Sequence, residues 1–121
     1  MENLPMKAHI YYVYILANKN NTVLYVGVTN NIIRRIAEHK GRINKGFTYR
    51  YNVDKLVYFE VHGYIEDAIL REKRLKKWNR QWKIDLIEKE NKDWEDLSIE
   101  WYNSDQNILD FSGMKKKEDN G

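Results

Sequence analysis

The 121-residue chain contains no cysteine, so disulfide scaffolds, thiolate zinc sites and thiol nucleophiles are excluded together. No apolar run approaches the roughly 20 residues that cross a bilayer. The N-terminal stretch from Met1 to His9 lacks the apolar core of a secretory signal. The three histidines, His9, His39 and His62, are too far apart to form a metal-ligand spacing. There is no glycine-rich phosphate loop, no paired-carboxylate spacing of a two-metal nuclease and no internal repeat. A soluble, cytoplasmic protein is the expectation. What remains is 42% hydrophobic and 32% charged, a balance that suits one packed core.

The net charge of +3 hides a polarised distribution. Ile33 to Arg50 carries six Lys/Arg against one acid, and Arg71 to Lys83 seven against one. Asp85 to Asp110 reverses the balance, with nine acids and two lysines. Two basic blocks suit a phosphate backbone, although a solvated helix face explains such a run equally well.

Tyr11 to Ala17 and Thr22 to Val28 are rich in β-branched and aromatic residues, and a polar turn separates them. They read as a β-hairpin. Symmetric pairing sets Ala17 against Thr22 and Tyr14 directly against Tyr25. A helix follows from a Thr29 or Asn30 cap to Lys40, ended by Gly41, with Ile32, Ile33, Ile36 and Ala37 as its buried stripe. Arg35 and His39, four apart, stack at the edge of that stripe. Gly41 to Asn52 reads as a basic loop and Lys55 to Val61 as a third strand. Lys45, Phe47, Tyr49, Arg50 and Tyr51 interleave charge with aromatics, which suits contact with bases as well as it suits a packed loop.

A second helix, Ile65 to Trp78, holds the chain's oddest residue. Its apolar seam of Ile65, Ala68, Ile69 and Leu75 has a glutamate at position 72. A carboxylate on a buried seam is costly unless its charge is offset. Lys76, one turn on, would offset it. Alternatively the seam opens into a cleft and Glu72 binds a cation. A third helix from Arg80 to Asn91 buries Trp82, Leu86 and Ile87. Trp94, Leu97 and Trp101 form a closing strap, and a polar, disordered tail follows Tyr102.

Two tyrosines, an Arg/His pair and one seam carboxylate match the needs of phosphodiester hydrolysis. A base takes a proton from water, a cation neutralises the phosphoryl oxygens, and a carboxylate holds a metal. Tyr12-Val13-Tyr14, the eleven-residue step from Tyr14 to Tyr25-Val26-Gly27, and Arg35 eight beyond Gly27 resemble the signature of the GIY-YIG endonuclease family. The likeness runs on through His39, the Leu56 to Glu60 strand, Arg71-Glu72-Lys73 and the Lys76 to Lys83 run, resembling the small single-domain branch. Tyr12 stands where the family name has its first glycine, and Val13 and Val26 where it has isoleucine.

The resemblance implies an α/β fold, a three-stranded antiparallel sheet flanked by helices in the order ββαβαα, with the nuclease domain over 8–97 and a strap and tail over 98–121. It also implies a one-metal endonuclease acting on DNA more than RNA. Glu72 would hold Mg²⁺ or Mn²⁺, and Arg35 would stabilise the transition state. Tyr14 would be the general base or its partner, His39 would take its proton, and Tyr25 would position water or phosphate. Arg34, Lys40, Arg42 and Lys45 would grip the backbone. A family asparagine near the site fits either Asn79 or Asn91. The other reading is a nucleic-acid-binding module on the same fold that does not cut.

Overall fold

The computed structural model describes residues 9–41 and 46–102. The expected tail after Tyr102, together with Arg42 and Lys45, lies outside the described residues. Three antiparallel strands, β1 (Tyr11–Ala17), β2 (Leu24–Thr29) and β3 (Lys55–His62), form one sheet in the order β2-β1-β3. Helix α1 (Ile32–Lys40) packs on one face. Helices α3 (Ile65–Lys77) and α4 (Arg80–Glu90) pack on the other. A short helix α2 (Phe47–Tyr51) lies in the stretch expected to be loop, and a 3-10 turn spans Ile99–Trp101. Among the described residues no helix is long and apolar enough to cross a membrane.

The central strand owes its place to composition. Val13 to Ala17 are all buried, with Val13, Ile15 and Ala17 on the α3/α4 side and Tyr14 and Leu16 on the α1 side. The pairing with β2 differs from symmetric closure by two residues: Ala17 meets Leu24, Tyr14 meets Gly27, and Leu16 meets Tyr25. The connection explains the shift. Asn18 Oδ1 accepts from the backbone N–H of Thr22 (2.8 Å) and Val23 (3.0 Å), while Asn21 adopts the left-handed conformation at φ 59°. Asn18 thereby draws Thr22 and Val23 into a wider loop. A slip of two keeps every side chain on its face, so Tyr14 and Tyr25 still share one, now as diagonal neighbours. On β3, Ile15 pairs with Tyr58 and Leu16 with Leu56, a bulge that turns both Val57 and Tyr58 into the α3/α4 core.

The helices begin where side-chain caps allow. Asn31, one residue beyond the expected cap, accepts from Arg34 N–H at 3.0 Å, and Asn79 accepts from Trp82 N–H at 2.9 Å to start α4. Some expected core positions are open to solvent. Ile33 is 41% exposed because α1 meets the sheet through Ile32 and Ile36 alone among its fully buried residues. Ile65 and Ile69 flank, rather than form, the α3 seam, which is Ala68, Glu72 and Leu75. Trp82 is 55% exposed, edge-on to Trp78. Leu97 is also exposed.

The segment after α4 ties both ends of α1 to the sheet. Asp96 accepts from Leu56 N–H (3.3 Å), Ser98 N–H (3.0 Å) and Ser98 Oγ (2.7 Å), and takes the Lys40 ammonium on its other oxygen. Lys40 also donates to Asp54 O at 3.1 Å, and the Tyr102 hydroxyl donates to Ile33 O at 2.6 Å. Asp96→Ala would leave two backbone donors without this partner and the Lys40 ammonium with the Asp54 carbonyl alone. The expected cost is about 2–3 kcal/mol, read as a lower urea midpoint at unchanged slope.

Candidate active site

The site forms where β1 and β2 face α1. Tyr14 is 1% exposed, and its ring lies over Gly27 on the neighbouring strand. A Cβ built on Gly27 would come within 2.4 Å of the Tyr14 hydroxyl oxygen and 2.5 Å of Cζ. Glycine is therefore required here by close approach rather than by a special φ. Gly27→Ala would push the tyrosine out of place. A drop of about 1–3 kcal/mol in stability is the expected outcome, checked by thermal melts.

From that buried position the Tyr14 hydroxyl reaches His39 Nε2 at 3.1 Å. The second ring nitrogen of His39, Nδ1, lies 2.9 Å from Thr48 Oγ1 on α2. Tyr25 completes the cluster, with its ring centroid 6.4 Å from Tyr14 and 5.8 Å from His39. Outward from Tyr25 the rings continue through Phe47 (6.0 Å) to Tyr51, 4.7 Å further on, with Arg50 over Tyr51 at 5.8 Å. An open groove beside this ladder is lined by Leu24, Tyr25, Val26, Phe47, Lys76 and Lys83.

The electrostatics follow from burial and neighbours. Burial pushes the Tyr14 hydroxyl up to about 12; hydrogen bonding to Arg35 opposes this, and the charges of Tyr25 and Glu72 add to it. Arg35 is held firmly protonated, chiefly by hydrogen bonding to Tyr14, and also donates to Glu38 at 3.1 Å. His39 is pushed down to about 4, first by burial and then by the Arg35 charge. At neutral pH the site therefore holds a protonated tyrosine, a neutral imidazole and a permanent guanidinium.

Glu72 approaches from the other layer, on the α3 seam, with its side chain 13% exposed. It pairs with Lys76 at 2.7 Å, and the lysine is half exposed. Lys76 lines the same groove as Tyr25, and the Glu72 charge adds slightly to the upward push on Tyr14. Its helix is fixed in rotation by the preceding residue. Arg71 makes two bonds to the Glu60 carboxylate, at 2.8 and 3.2 Å, and its guanidinium lies 5.3 Å over the Trp78 ring. Tyr58 and His62 bond to the same carboxylate, at 2.5 and 2.7 Å.

Among the described residues no three His, Asp or Glu side chains cluster as a metal cage. Magnesium does not require one: it keeps several waters and binds through one or two carboxylates together with substrate phosphates. Glu72, a single carboxylate whose partner Lys76 lines the groove, fits that donor set. Of the four basic residues expected at the backbone, Arg34 is exposed, with a loose contact to Glu38 at 3.8 Å. Lys40 is engaged by Asp96 and Asp54 within the fold. Both candidate asparagines have structural partners. Asn79 caps α4, and Asn91, 7% exposed, donates to Val57 O and Glu95 O. Thr48 escaped the sequence reading altogether, because nothing in the spacing of a threonine nine residues beyond His39 marks it as a ring partner.

Comparison with known proteins gives the family. Residues 10–85 match the family model of the GIY-YIG catalytic domain. A UPF0213 protein of Staphylococcus haemolyticus is 37% identical over 78 residues, covering 64% of this chain and 94% of that protein. A UPF0213 protein of Clostridium perfringens is 41% identical over 76 residues, covering 63% and 81%. The solution NMR structure of a UPF0213 protein from Bacillus halodurans is 26% identical, with a TM-score of 0.48 over 75% of this chain and 97% of that one. With more than half of its length inside the matched domain, the chain belongs to the GIY-YIG family.

Proposed function

We propose that the protein is a metal-dependent endonuclease that hydrolyses phosphodiester bonds in DNA. The observation that carries this is the hydrogen-bonded pair of Tyr14 and His39 beside Arg35 and within the field of Glu72. A purely binding surface has no use for a tyrosine hydroxyl that is buried, proton-coupled to a neutral histidine and faced by a guanidinium. Family membership supports the same reading.

In this reading Tyr14 takes a proton from the attacking water as its own proton passes to His39 Nε2. Arg35, always charged and planar, stabilises the negative charge that grows on the phosphoryl oxygens. Tyr25 packs against both Tyr14 and His39 and lines the groove, where it orients the phosphate or the water. Glu72 holds Mg²⁺ or Mn²⁺. That ion, when bound, supplies Lewis acidity to the phosphate and offsets the carboxylate charge that raises the proton affinity of Tyr14. Arg34 and the groove lysines Lys76 and Lys83 meet the backbone, so affinity falls steeply with salt. The Phe47–Tyr51 rings offer stacking surface to bases next to the scissile phosphate.

The test is cleavage of labelled DNA and RNA with Mg²⁺, Mn²⁺ or EDTA. Metal-dependent cutting, faster on DNA, is expected. Salt-sensitive binding without cutting under any metal would replace the enzyme reading with the binding module.

A further inference from the structure

The partners of His39 determine more than its position. A neutral imidazole has one N–H donor and one acceptor nitrogen, and its neighbours decide which is which. Arg35 can only donate, so beside it the Tyr14 oxygen serves as an acceptor, which leaves the tyrosine proton to a second partner. His39 Nε2, at 3.1 Å, is the partner in reach. If Nε2 accepts the tyrosine proton, Nδ1 carries the ring proton, and Thr48 Oγ1 at 2.9 Å is placed to receive it.

Resting on the nuclease reading above, we propose that Thr48 is a positioning residue of the reaction. By accepting from Nδ1 it holds His39 in the one tautomer whose Nε2 lone pair can take the Tyr14 proton. The proton path then closes. The water oxygen bonds to phosphorus as the bond to the leaving oxygen breaks. The water's proton goes to Tyr14, the Tyr14 proton goes to His39 Nε2, and the leaving oxygen takes a proton from solvent. The imidazolium so formed keeps its Nδ1–H on Thr48. With Thr48 donating to Nδ1 instead, Nε2 would carry the proton, point it at the tyrosine oxygen, and block the transfer.

The backbone around Thr48 is built to hold that hydroxyl still. A five-residue helix has too few internal bonds to stand alone. Here its carbonyls are anchored beyond its end: the Thr48 carbonyl accepts from the N–H of Val53, a fully buried residue, at 2.9 Å. The left-handed Asn52, at φ 58°, closes the turn. On the other side Phe47 stacks on Tyr25, which itself touches His39. Thr48 is thus fixed to the core and to the tyrosine pair at once.

The experiment compares Thr48→Val, which keeps the shape and loses the hydroxyl, with Thr48→Ser, which keeps the hydroxyl, in the full chain. Long-range ¹H–¹⁵N NMR reads the His39 tautomer without substrate. Wild type and Thr48→Ser are expected to show the Nδ1–H form, and Thr48→Val a shift towards Nε2–H. The same variants are expected to separate in cleavage: Thr48→Val loses about 10–100-fold in kcat at unchanged KM, and Thr48→Ser regains most of it. Retention of the Nδ1–H form in Thr48→Val, or equal losses in both variants, would overturn the assignment. A wild type that cuts alongside a fully active Thr48→Val overturns only the role of Thr48. A wild type that cuts nothing overturns the nuclease reading and this one with it.

Discussion

Glu72→Gln is expected to remove metal-dependent cleavage, lowering the rate by about 10³-fold or more while the protein stays folded. The substitution keeps the shape of a side chain on the α3 seam and deletes its charge. Its visible partner is Lys76, an i,i+4 lysine that is half exposed. Deleting the charge leaves a lysine that water can still solvate and removes a carboxylate from the seam, so thermal unfolding should change little. Lys76→Met separates the two explanations of a carboxylate on an apolar seam. If the salt bridge were the whole purpose of Glu72, both variants would behave alike. If Glu72 holds the ion, Lys76→Met keeps metal-dependent cutting with at most a weaker grip on DNA. Single-turnover cleavage across a Mg²⁺ titration distinguishes these outcomes.

Tyr14→Phe is expected to lower kcat by about 10²–10⁴-fold, the range for loss of a positioned proton-transfer group. The ring stays over Gly27 and the core stays filled, so the loss reports the hydroxyl. The pH profile of the wild type carries the same information. His39, pushed down to about 4 by burial and by Arg35, remains a neutral acceptor throughout the physiological range. The acidic limb of kcat is therefore expected near pH 4 and not near 6.5. The charged and titrating groups facing His39 are Arg35, Glu38 and Tyr14, and only Glu38 favours its protonation. Stability follows the same linkage. The unfolded histidine binds its proton near 6.5 and the folded one near 4, so the unfolded chain binds more protons between those values. Full stability is present above pH 6.5, and acidification through that window erodes it. A rate that halves near 6.5 would show that His39 is solvated and charged in the working enzyme.

The strands and helices that carry the site were legible in the sequence because their signals are periodic. Alternation put Tyr14 and Tyr25 on one sheet face, and helical spacing put Arg35 beside His39 and set Glu72 between Ala68 and Leu75. The register was not legible. Alternation has a period of two, and the real pairing is shifted by two, so the pattern fits both. What decides is the side chain of Asn18, which bonds Thr22 and Val23 and widens the turn. The close contact of Tyr14 with Gly27 follows from that shift. Helix α2 gave no period to detect in five residues, and its N-cap, Gly46, has no side chain to signal a start. The engagement of Lys40 within the fold was not legible either, because charge runs say nothing of partners. Its partner Asp96 is 56 residues away.

The one-metal nuclease reading is tested most directly by one cleavage experiment on labelled DNA, with wild type, Glu72→Gln and Arg35→Ala run side by side in Mg²⁺ and in EDTA. Cutting by wild type in Mg²⁺ alone, and by neither variant, is expected, with all three proteins folded by circular dichroism. Cutting that survives EDTA, or a Glu72→Gln protein as fast as wild type, would contradict that reading.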